Sequence, residues 1–319
     1  MQGTASMTSR QRVRATLDFK MPDRVGIADE FDGKAIISWR EEGKLPQGVS
    51  AEEYFDFDIR LFGFNQDFRI GEKNIDLQLR LEHPFTGESI KEHYESARQK
   101  EKFLVLSCVE PFEHIAGTIG KEMLLSLMAE DADKASRLFS QSLEQTLGIC
   151  QALFDKGYSF DGAWLWGDLA YGKGLLFSTD YYNAFLFDLH REMCDFFAKN
   201  GMPVIFHSDG NVSELIPPLI EAGVRAIEPL ESDTGMDVGW IKKEYGKYIV
   251  LFGGIDEKMF SGRTSAEKEI RTKFKTLMRG GGYIYHADSP ILDDIAFDDY
   301  AHVLRVVKEA GTYITGRDR

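Results

Sequence analysis

The fold is predicted by a ten-residue stretch in the middle of the chain, GMPVIFHSDG at residues 201–210. Gly201 and Pro203 mark a turn, three apolar residues follow, and the run becomes polar at His207. Helical patterns lie on both sides of this stretch, at residues 181–198 and 212–222. A short apolar strand between two helices is typical of a βα unit in a parallel sheet.

The same alternation extends over most of the chain. Seven strands are predicted, at residues 25–28, 103–108, 162–166, 203–207, 225–228, 248–252 and 283–285. Helices are predicted at residues 10–19, 132–156, 181–198, 212–222, 236–244, 265–279 and 298–310. An eighth strand is expected between residues 55 and 81, and the alternating pattern at residues 68–82 suggests a hairpin or an antiparallel excursion.

An open doubly wound sheet and a closed barrel both fit this alternation. No GxGxxG motif follows the first strand, and polar residues follow several strands rather than one switch point, so the closed barrel is favoured. The predicted fold class is therefore α/β, a (β/α)8 TIM barrel with an N-terminal elaboration. We expect a single domain over residues 7–319, after a disordered leader at residues 1–6.

The composition indicates a soluble globular protein. The 319 residues carry 38 Lys and Arg against 52 Asp and Glu, and a formal net charge of −14 disfavours binding to nucleic acids or to anionic membranes. No apolar run approaches the roughly 18 residues that span a bilayer, and no secretion signal begins the chain. Three cysteines without a CxxC pair indicate a reducing compartment, so a cytoplasmic location is expected.

Polar residues follow several of the predicted strands, where the active site of a TIM barrel lies. They are Asp168, His207 with Asp209, Glu228 with Glu231, Asp256, and His286 with Asp288. Two of these strand ends share the pattern His-x-Asp, in which residues i and i+2 point to the same side of an extended chain. Imidazole and carboxylate groups are ordinary zinc ligands, so four residues are candidates for one metal site: His207, Asp209, His286 and Asp288.

These residues also have ordinary structural interpretations. Asp209 precedes Gly210 and suits a helix cap as well as a metal site, while Glu231 suits a position at the rim of a pocket. Four aromatic residues can either line a substrate pocket or fill the barrel core: Trp164, Trp166, Tyr171 and Tyr285. We assign them, together with Phe31 and Glu231, to substrate binding.

Several separate segments share one resemblance. Met21-Pro22-Asp23-Arg24-Val25 follows the N-terminal helix, Pro111-Phe112-Glu113 follows a strand, and Gly281-Gly282-Tyr283-Ile284 leads into the last strand. Together with residues 201–210, these segments resemble the uroporphyrinogen decarboxylase superfamily over nearly the whole chain. This family of barrels also contains zinc-dependent methyltransferases that work with a corrinoid protein.

The chain departs from the family at two places. The decarboxylase has an arginine-rich MRQAGR stretch after its first strand, whereas this chain has IADEFD at residues 27–32, which cannot neutralise the carboxylates of a porphyrinogen. Decarboxylation of uroporphyrinogen is therefore not expected. The methyltransferases have His-x-Cys where this chain has His207 and Asp209, and Asp288 falls near the later cysteine. Nitrogen and oxygen ligands leave zinc a stronger Lewis acid than thiolates do.

The resemblance implies a methyltransferase that acts on a small methoxylated compound, with an aromatic ring as one option, and passes the methyl group to a corrinoid protein. Zinc would polarise the ether oxygen, and Asp168 or Glu30 would hold or protonate the leaving group beside His207. No Asp-x-His-x-x-Gly signature for cobalamin occurs, so the corrinoid is expected on a partner chain.

Two other functions fit the sequence. The first is a metal-independent decarboxylase or lyase, in which Asp168 and His207 act as an acid–base pair on a small acid. The second is a non-catalytic barrel that binds a small molecule or belongs to an assembly. A homo-oligomeric state is compatible with all three functions.

Overall fold

The computed structural model describes residues 6–64, 81–82 and 91–313. In chain order its strands are β1 (Gly26–Ile27), β2 (Ile59–Phe64), β3 (Leu81–Glu82), β4 (Phe103–Val109), β5 (Gly162–Trp166), β6 (Ala170–Tyr171), β7 (Gly174–Leu175), β8 (Val204–His207), β9 (Ala226–Glu228), β10 (Val250–Phe252) and β11 (Tyr283–Tyr285). Its α-helices are α1 (Ser9–Leu17), α2 (Gly33–Glu41), α3 (Ala51–Tyr54), α4 (Lys91–Gln99), α5 (Pro111–Ile119), α6 (Lys121–Glu130), α7 (Ala132–Asp155), α8 (Thr179–Phe185), α9 (Phe187–Lys199), α10 (Ile216–Ala222), α11 (Val238–Tyr245), α12 (Arg263–Leu277) and α13 (Phe297–Ala310).

The chain divides into two compact units. The first unit contains residues 1–60, 101–103 and 226–319, and the second unit contains residues 61–100 and 104–225. The expectation of a single domain stays a prediction. Of the expected leader, only Ser6 is described, and most of the hairpin expected at residues 68–82 lies outside the described residues.

In the first unit, four short parallel strands lie side by side in the order β1, β11, β10, β9. Gly26 pairs with Ile284, Leu251 with Tyr283, and Val250 with Ala226. Strands β9, β10 and β11 are buried along their whole length, which explains why their sequences are continuous apolar runs without alternation. Helix α12 packs against α13 in the same unit.

In the second unit, β4, β5 and β8 are parallel neighbours. Val105 pairs with Gly162, and Trp166 at the end of β5 pairs with His207 at the end of β8. Helices α5, α6 and α7 pack on one another, and β6 and β7 form a small antiparallel hairpin directly after β5. The hairpin was not predicted, because two-residue strands carry no measurable periodicity.

Eight of the described strands are parallel, among them β1, β9, β10 and β11 in the first unit and β4, β5 and β8 in the second. Strand β2 lies where the eighth strand was expected. Helices alternate with these strands, so the fold class is α/β and TIM-barrel-like, as the sequence predicted. None of the described helices is long and apolar enough to cross a membrane.

Two predicted helices differ from the structure in an informative way. The helix expected at residues 181–198 is divided at Leu186 into α8 and α9. The helix expected at residues 212–222 begins as a 3-10 turn, Ser213–Leu215, and becomes α-helical at Ile216. Pro217 and Pro218 explain this late start, because proline lacks the amide hydrogen that a helix interior needs but is tolerated in the first turn.

A buried ion cluster joins three segments of the first unit. The Asp58 side chain is fully buried and accepts hydrogen bonds from Arg12 Nη1 (2.7 Å), Arg24 Nη1 (2.7 Å) and the Ile27 amide (2.9 Å). Its Oδ1 also accepts from Ser9 Oγ at 2.8 Å. One carboxylate therefore ties α1 and β1 to the segment that precedes β2.

We expect Asp58→Ala to lower the free energy of unfolding by about 3–5 kcal/mol, because it removes the shared buried acceptor of Arg12, Arg24 and the Ile27 amide and leaves Arg12 paired with Asp23 alone. Urea-induced unfolding followed by circular dichroism measures this change. The control is Asp298→Ala, which removes an exposed ion pair with Lys44 and should leave stability nearly unchanged. A loss below about 1 kcal/mol for Asp58→Ala would contradict the assignment.

Candidate active site

Three polar side chains meet at the carboxyl ends of β5 and β8 in the second unit. His207 Nε2 lies 3.7 Å from Asp209 Oδ1 and 3.9 Å from Asp168 Oδ1. Asp168 Oδ1 also accepts a hydrogen bond from the Asp209 amide at 3.1 Å. One ligand atom from each residue lies within 4.8 Å of the other two. We call this group the Asp168–His207–Asp209 cluster.

Local sequence fixes the loop that carries His207 and Asp209. Ser208 Oγ accepts a hydrogen bond from the Leu169 amide at 3.0 Å and donates to the Asp209 carbonyl at 3.1 Å. Gly210 has φ +82°, and a Cβ there would lie 2.6 Å from the Tyr171 carbonyl oxygen. Glycine is required here both by the backbone conformation and by the close approach of the β6–β7 hairpin.

The capping contact that was considered for Asp209 is made by Asn211. Asn211 Oδ1 accepts from the Ser213 amide at 3.1 Å, at the turn that leads into α10. Asp209, more than half exposed, instead lies beside His207 and Asp168. Its surroundings are therefore compatible with the predicted metal site, and its role as a ligand stays a prediction.

The three aromatic residues of the second unit that were predicted to bind substrate differ in how exposed they are. The Trp164 ring stacks on the His207 ring at 5.9 Å and is only 3% exposed, so it supports the imidazole from within the core. Trp166 and Tyr171 are 39% and 57% exposed. Since Trp166 pairs with His207 and the Tyr171 backbone contacts Gly210, both lie next to the cluster and are accessible to a ligand.

Glu113, in the first turn of α5, is a residue of this region that the sequence did not single out for chemistry. Burial raises the pKa of the Glu113 carboxyl; Lys121, 3.5 Å away, opposes this shift, and the negative charges of Asp168 and Glu110 add to it. The only signal in the sequence was its place directly after β4, within the Pro111-Phe112-Glu113 motif. A carboxyl with a raised pKa beside other acids is a candidate proton donor.

In the first unit, His286 is buried among carboxylates. Its Nδ1 contacts the Ala287 carbonyl oxygen and lies 3.4 Å from Glu228 Oε1 and 4.0 Å from Asp29 Oδ1. Burial by itself would lower the pKa of His286, but Glu228 and Asp29 raise it above its ordinary value. Two neighbouring carboxylates therefore favour the protonated imidazole, and a metal ion would have to displace that proton in order to bind His286.

The Asp29 carboxylate accepts from the Ala287 amide and from the Tyr300 hydroxyl, both at 2.6 Å. Burial raises the pKa of Asp29. Tyr285 is fully buried, and the Phe31 ring packs against Tyr300 at 5.2 Å. Both of these predicted substrate contacts therefore lie within packed surroundings of the first unit.

The other residues predicted in the first unit lie in loops. Glu30 follows β1, and its carbonyl accepts from the Ile291 amide at 2.9 Å. Glu231 is half-buried and precedes a short 3-10 turn, with its carbonyl accepting from Thr234 Oγ1 at 2.7 Å. These contacts involve backbone atoms, so the roles of the two carboxylates stay predictions.

Asp288 belongs to a second acidic group. Its Oδ2 accepts from Ser232 Oγ at 2.6 Å and from the Ser232 amide at 3.1 Å, and its carboxylate lies with those of Asp256 and Glu257 within 4.8 Å. Burial and the hydrogen bond to Asp288 raise the pKa of Glu257 to about 8. The four predicted metal ligands thus have three sets of neighbours, and only His207 and Asp209 share one.

The comparisons with known proteins identify the family. Residues 74–310 match the family model described as uroporphyrinogen decarboxylase (URO-D), so the chain belongs to the uroporphyrinogen decarboxylase family, as its motifs predicted. A methyltransferase from Methanosarcina mazei has a similar structure, with a TM-score of 0.69 and 13% identity over 95% of this chain and 99% of that chain. At this identity the similarity demonstrates the fold.

A second solved structure has a weaker similarity. A D-psicose 3-epimerase from Clostridium cellulolyticum H10 has a TM-score of 0.46 and 11% identity, over 90% of this chain and 94% of that chain. Comparison with curated protein sequences found no match. Membership of an enzyme family supports the prediction that the protein is an enzyme.

Stability should depend on the proton held by Glu257. The pKa of Glu257 in the folded protein is about 8 against an ordinary value of 4.5, so between these values the folded state binds more protons than the unfolded state. The resulting stability is complete below about pH 4.5 and is lost as the pH rises through about 8. Denaturant titrations at pH 5, 6.5 and 8 should show this decline, and Glu257→Gln should flatten it.

Glu267→Gln provides the matched control, because Glu267 is an exposed glutamate on α12 whose pKa is lowered by Arg271. The control should keep the decline between pH 5 and pH 8. An identical pH profile for Glu257→Gln and the wild type would show that Glu257 holds no such proton.

Proposed function

We propose that the protein is a methyltransferase that takes a methyl group from a small methoxylated compound and passes it to a corrinoid partner protein. Membership of the uroporphyrinogen decarboxylase family supports this function, and so does the similarity of the fold to the Methanosarcina mazei methyltransferase. The observation that carries the proposal is the Asp168–His207–Asp209 cluster at the ends of β5 and β8.

The donor set of the cluster fits a divalent cation. It offers one imidazole nitrogen and two carboxylate oxygens, ligand types that zinc accepts in catalytic sites. Asp168 and Asp209 are one-third and one-half exposed, so the group is accessible from solvent. In this proposal Asp168 joins His207 and Asp209 as a ligand, and the predicted ligands His286 and Asp288 remain to be tested with them.

The chemistry is the transfer of a methyl group from an ether oxygen. A bound zinc ion would supply Lewis acidity toward that oxygen. The bond between the methyl carbon and the oxygen breaks, the methyl group goes to the corrinoid of the partner, and the leaving oxygen takes a proton. The sequence assigns Asp168 and Glu30 to the leaving oxygen, and the role of Glu30 stays a prediction. Because Asp168 is a metal ligand in this proposal, Glu113, whose pKa is raised by burial, is the carboxyl of the second unit that would supply the proton.

Exposed aromatic faces suit a methoxylated aromatic ring. Trp166 lies in register with His207, and Tyr171 lies at the turn of the β6–β7 hairpin against Gly210. Stacking on such faces would hold the ring of the donor while its ether oxygen approaches the cluster. A protein of this function needs no corrinoid motif of its own.

Metal binding is the first test. After removal of metal with a chelator, zinc titrated by calorimetry should bind to the wild type at about one equivalent, and His207→Ala should weaken binding by about 100-fold or more. The control is His93→Ala, which removes an exposed histidine of α4. Variants His286→Ala and Asp288→Asn show whether the first unit contributes ligands.

The opposite result has a defined meaning. If the wild type binds less than about a tenth of an equivalent of zinc and His207→Ala changes nothing, the metal-dependent mechanism is wrong. The 3.9 Å pair of His207 and Asp168 would then favour the metal-independent decarboxylase or lyase.

Methyl transfer itself can be measured with 2-methoxyphenol as the donor and free cob(I)alamin as the acceptor, by the absorbance of methylcobalamin. We expect Trp166→Ala to raise KM about tenfold with little change in kcat, because stacking contributes to binding of the ring more than to bond breaking. Trp240→Ala removes an exposed tryptophan of α11 and should leave both constants unchanged. Equal KM values for the wild type and Trp166→Ala would exclude stacking on Trp166.

A further inference from the structure

A fully buried carboxylate lies at the start of α5 in the second unit. Glu110 Oε2 accepts from the Phe112 amide at 2.9 Å, and Oε1 accepts from the Glu113 amide at 2.5 Å. His190 Nε2 lies 3.1 Å from Glu110 Oε2, and His190 Nδ1 lies 3.0 Å from the Tyr182 hydroxyl. Since α5, α8 and α9 each supply part of this network, the Glu110 side chain is held in one position.

The next segment of chain lies directly on this side chain. A Cβ at Gly167 would be 2.2 Å from Glu110 Cγ and 2.4 Å from Glu110 Oε1. Gly167 has no positive φ angle, so its backbone conformation suits any residue. The requirement for glycine at position 167 therefore comes from the space that Glu110 occupies, and from nothing else in the local backbone.

Gly167 connects Glu110 to the Asp168–His207–Asp209 cluster. The Glu110 amide donates to the Trp166 carbonyl at 3.0 Å, and the Gly167 amide donates to the His207 carbonyl at 3.1 Å. Asp168 is the next residue, and its carboxylate lies 3.9 Å from His207 Nε2. A displacement of Gly167 would therefore move Asp168 relative to His207.

The negative charge of Glu110 is a second way in which this side chain can affect the cluster, besides its contact with Gly167. Burial raises the pKa of Glu113, and the negative charges of Asp168 and Glu110 both add to that rise, so Glu110 and Asp168 lie close enough to act on the same side chain. A fixed negative charge beneath a group of ligands favours a cation among them.

We propose that Glu110 is a positioning residue for the Asp168–His207–Asp209 cluster, acting through Gly167. Its side chain, locked by His190 and by the first turn of α5, sets the position of the chain that carries Asp168, and its charge favours the divalent cation. The inference rests on the proposed function, since it treats the cluster as the metal site.

Glu110 also caps α5, and a purely structural cap would have different consequences. Loss of a helix cap costs about 1 kcal/mol of stability and leaves a distant binding site unchanged. Loss of a group that orients metal ligands lowers metal affinity by about 10- to 100-fold. Zinc affinity and thermal stability, measured on the same variants, therefore distinguish the two roles.

The experiment is a double-mutant cycle with zinc titration by calorimetry on the full-length protein. Gly167→Ala should weaken zinc binding by about tenfold or more, because the new Cβ displaces Asp168. In a Glu110→Ala background, where the obstructing side chain is absent, the same substitution should change zinc affinity less than about twofold. Glu110→Gln, which keeps the volume and removes the charge, should weaken binding by about tenfold.

The control for a lost helix cap is Asp131→Ala, since Asp131 caps α7 in the same unit through the Lys134 amide. It should lower the melting temperature and leave zinc affinity unchanged. If Gly167→Ala and Glu110→Gln bind zinc within about twofold of the wild type, Glu110 is only a cap and the inference is overturned. Gly167→Ala and Glu110→Gln decide the matter even if Glu110→Ala does not fold.

A second measurement separates this inference from the proposed function. If the wild type binds no zinc, the metal-dependent function fails, and crystal structures decide the role of Glu110. An increase of about 1 Å or more in the distance from Asp168 Oδ1 to His207 Nε2 in Gly167→Ala supports positioning through Gly167. An unchanged distance of 3.9 Å overturns it.

Discussion

The parallel pairing of Trp166 with His207 is the constraint on which the candidate site depends. It ends β5 and β8 at the same level, so the residues that follow each strand leave the sheet side by side. Asp168 comes two residues after Trp166 and Asp209 two residues after His207, and both carboxylates reach the imidazole for that reason. A shift of register by one residue would turn these side chains to the other face.

The sequence predicted this part of the molecule well because the signals are local. Short apolar runs located most of the strands of the parallel sheet, and the polar residues behind β8 indicated His207 and Asp209. Asp168 was predicted to hold or protonate the leaving group, and this role stays a prediction. Its place beside Asp209 could not be predicted, because no sequence spacing shows it. Glu113 was not predicted to be a proton donor. Its pKa is raised by burial and by the charges of residues that only the fold brings near, and the sequence shows neither.

In the first unit, the same local pattern has different surroundings. His286 and Asp288 share the His-x-Asp pattern with His207 and Asp209, yet their side chains have different partners: Glu228 and Asp29 for the imidazole, Ser232 and Glu257 for the carboxylate. The His-x-Asp pattern determines that both side chains point to the same side of the strand. The residues on the neighbouring strands and loops determine which groups each side chain contacts. The same two-residue motif therefore forms one cluster in the second unit and two polar networks in the first.

The two glycines beside the Asp168–His207–Asp209 cluster explain how its two loop residues, Asp168 and Asp209, are kept in place next to His207 at the end of β8. Gly210 allows the Tyr171 backbone to approach the loop after β8, and Gly167 allows the chain after β5 to rest on Glu110. The loop after β5 is thus supported by Glu110, whose carboxylate makes its hydrogen bonds in the interior. The loop after β8 is supported by the Tyr171 carbonyl, which accepts from the Asn211 amide at 3.2 Å. Without such support, two partly exposed carboxylates would lose conformational entropy each time a ligand ordered them. A fixed backbone reduces this loss, so the cluster keeps a defined geometry.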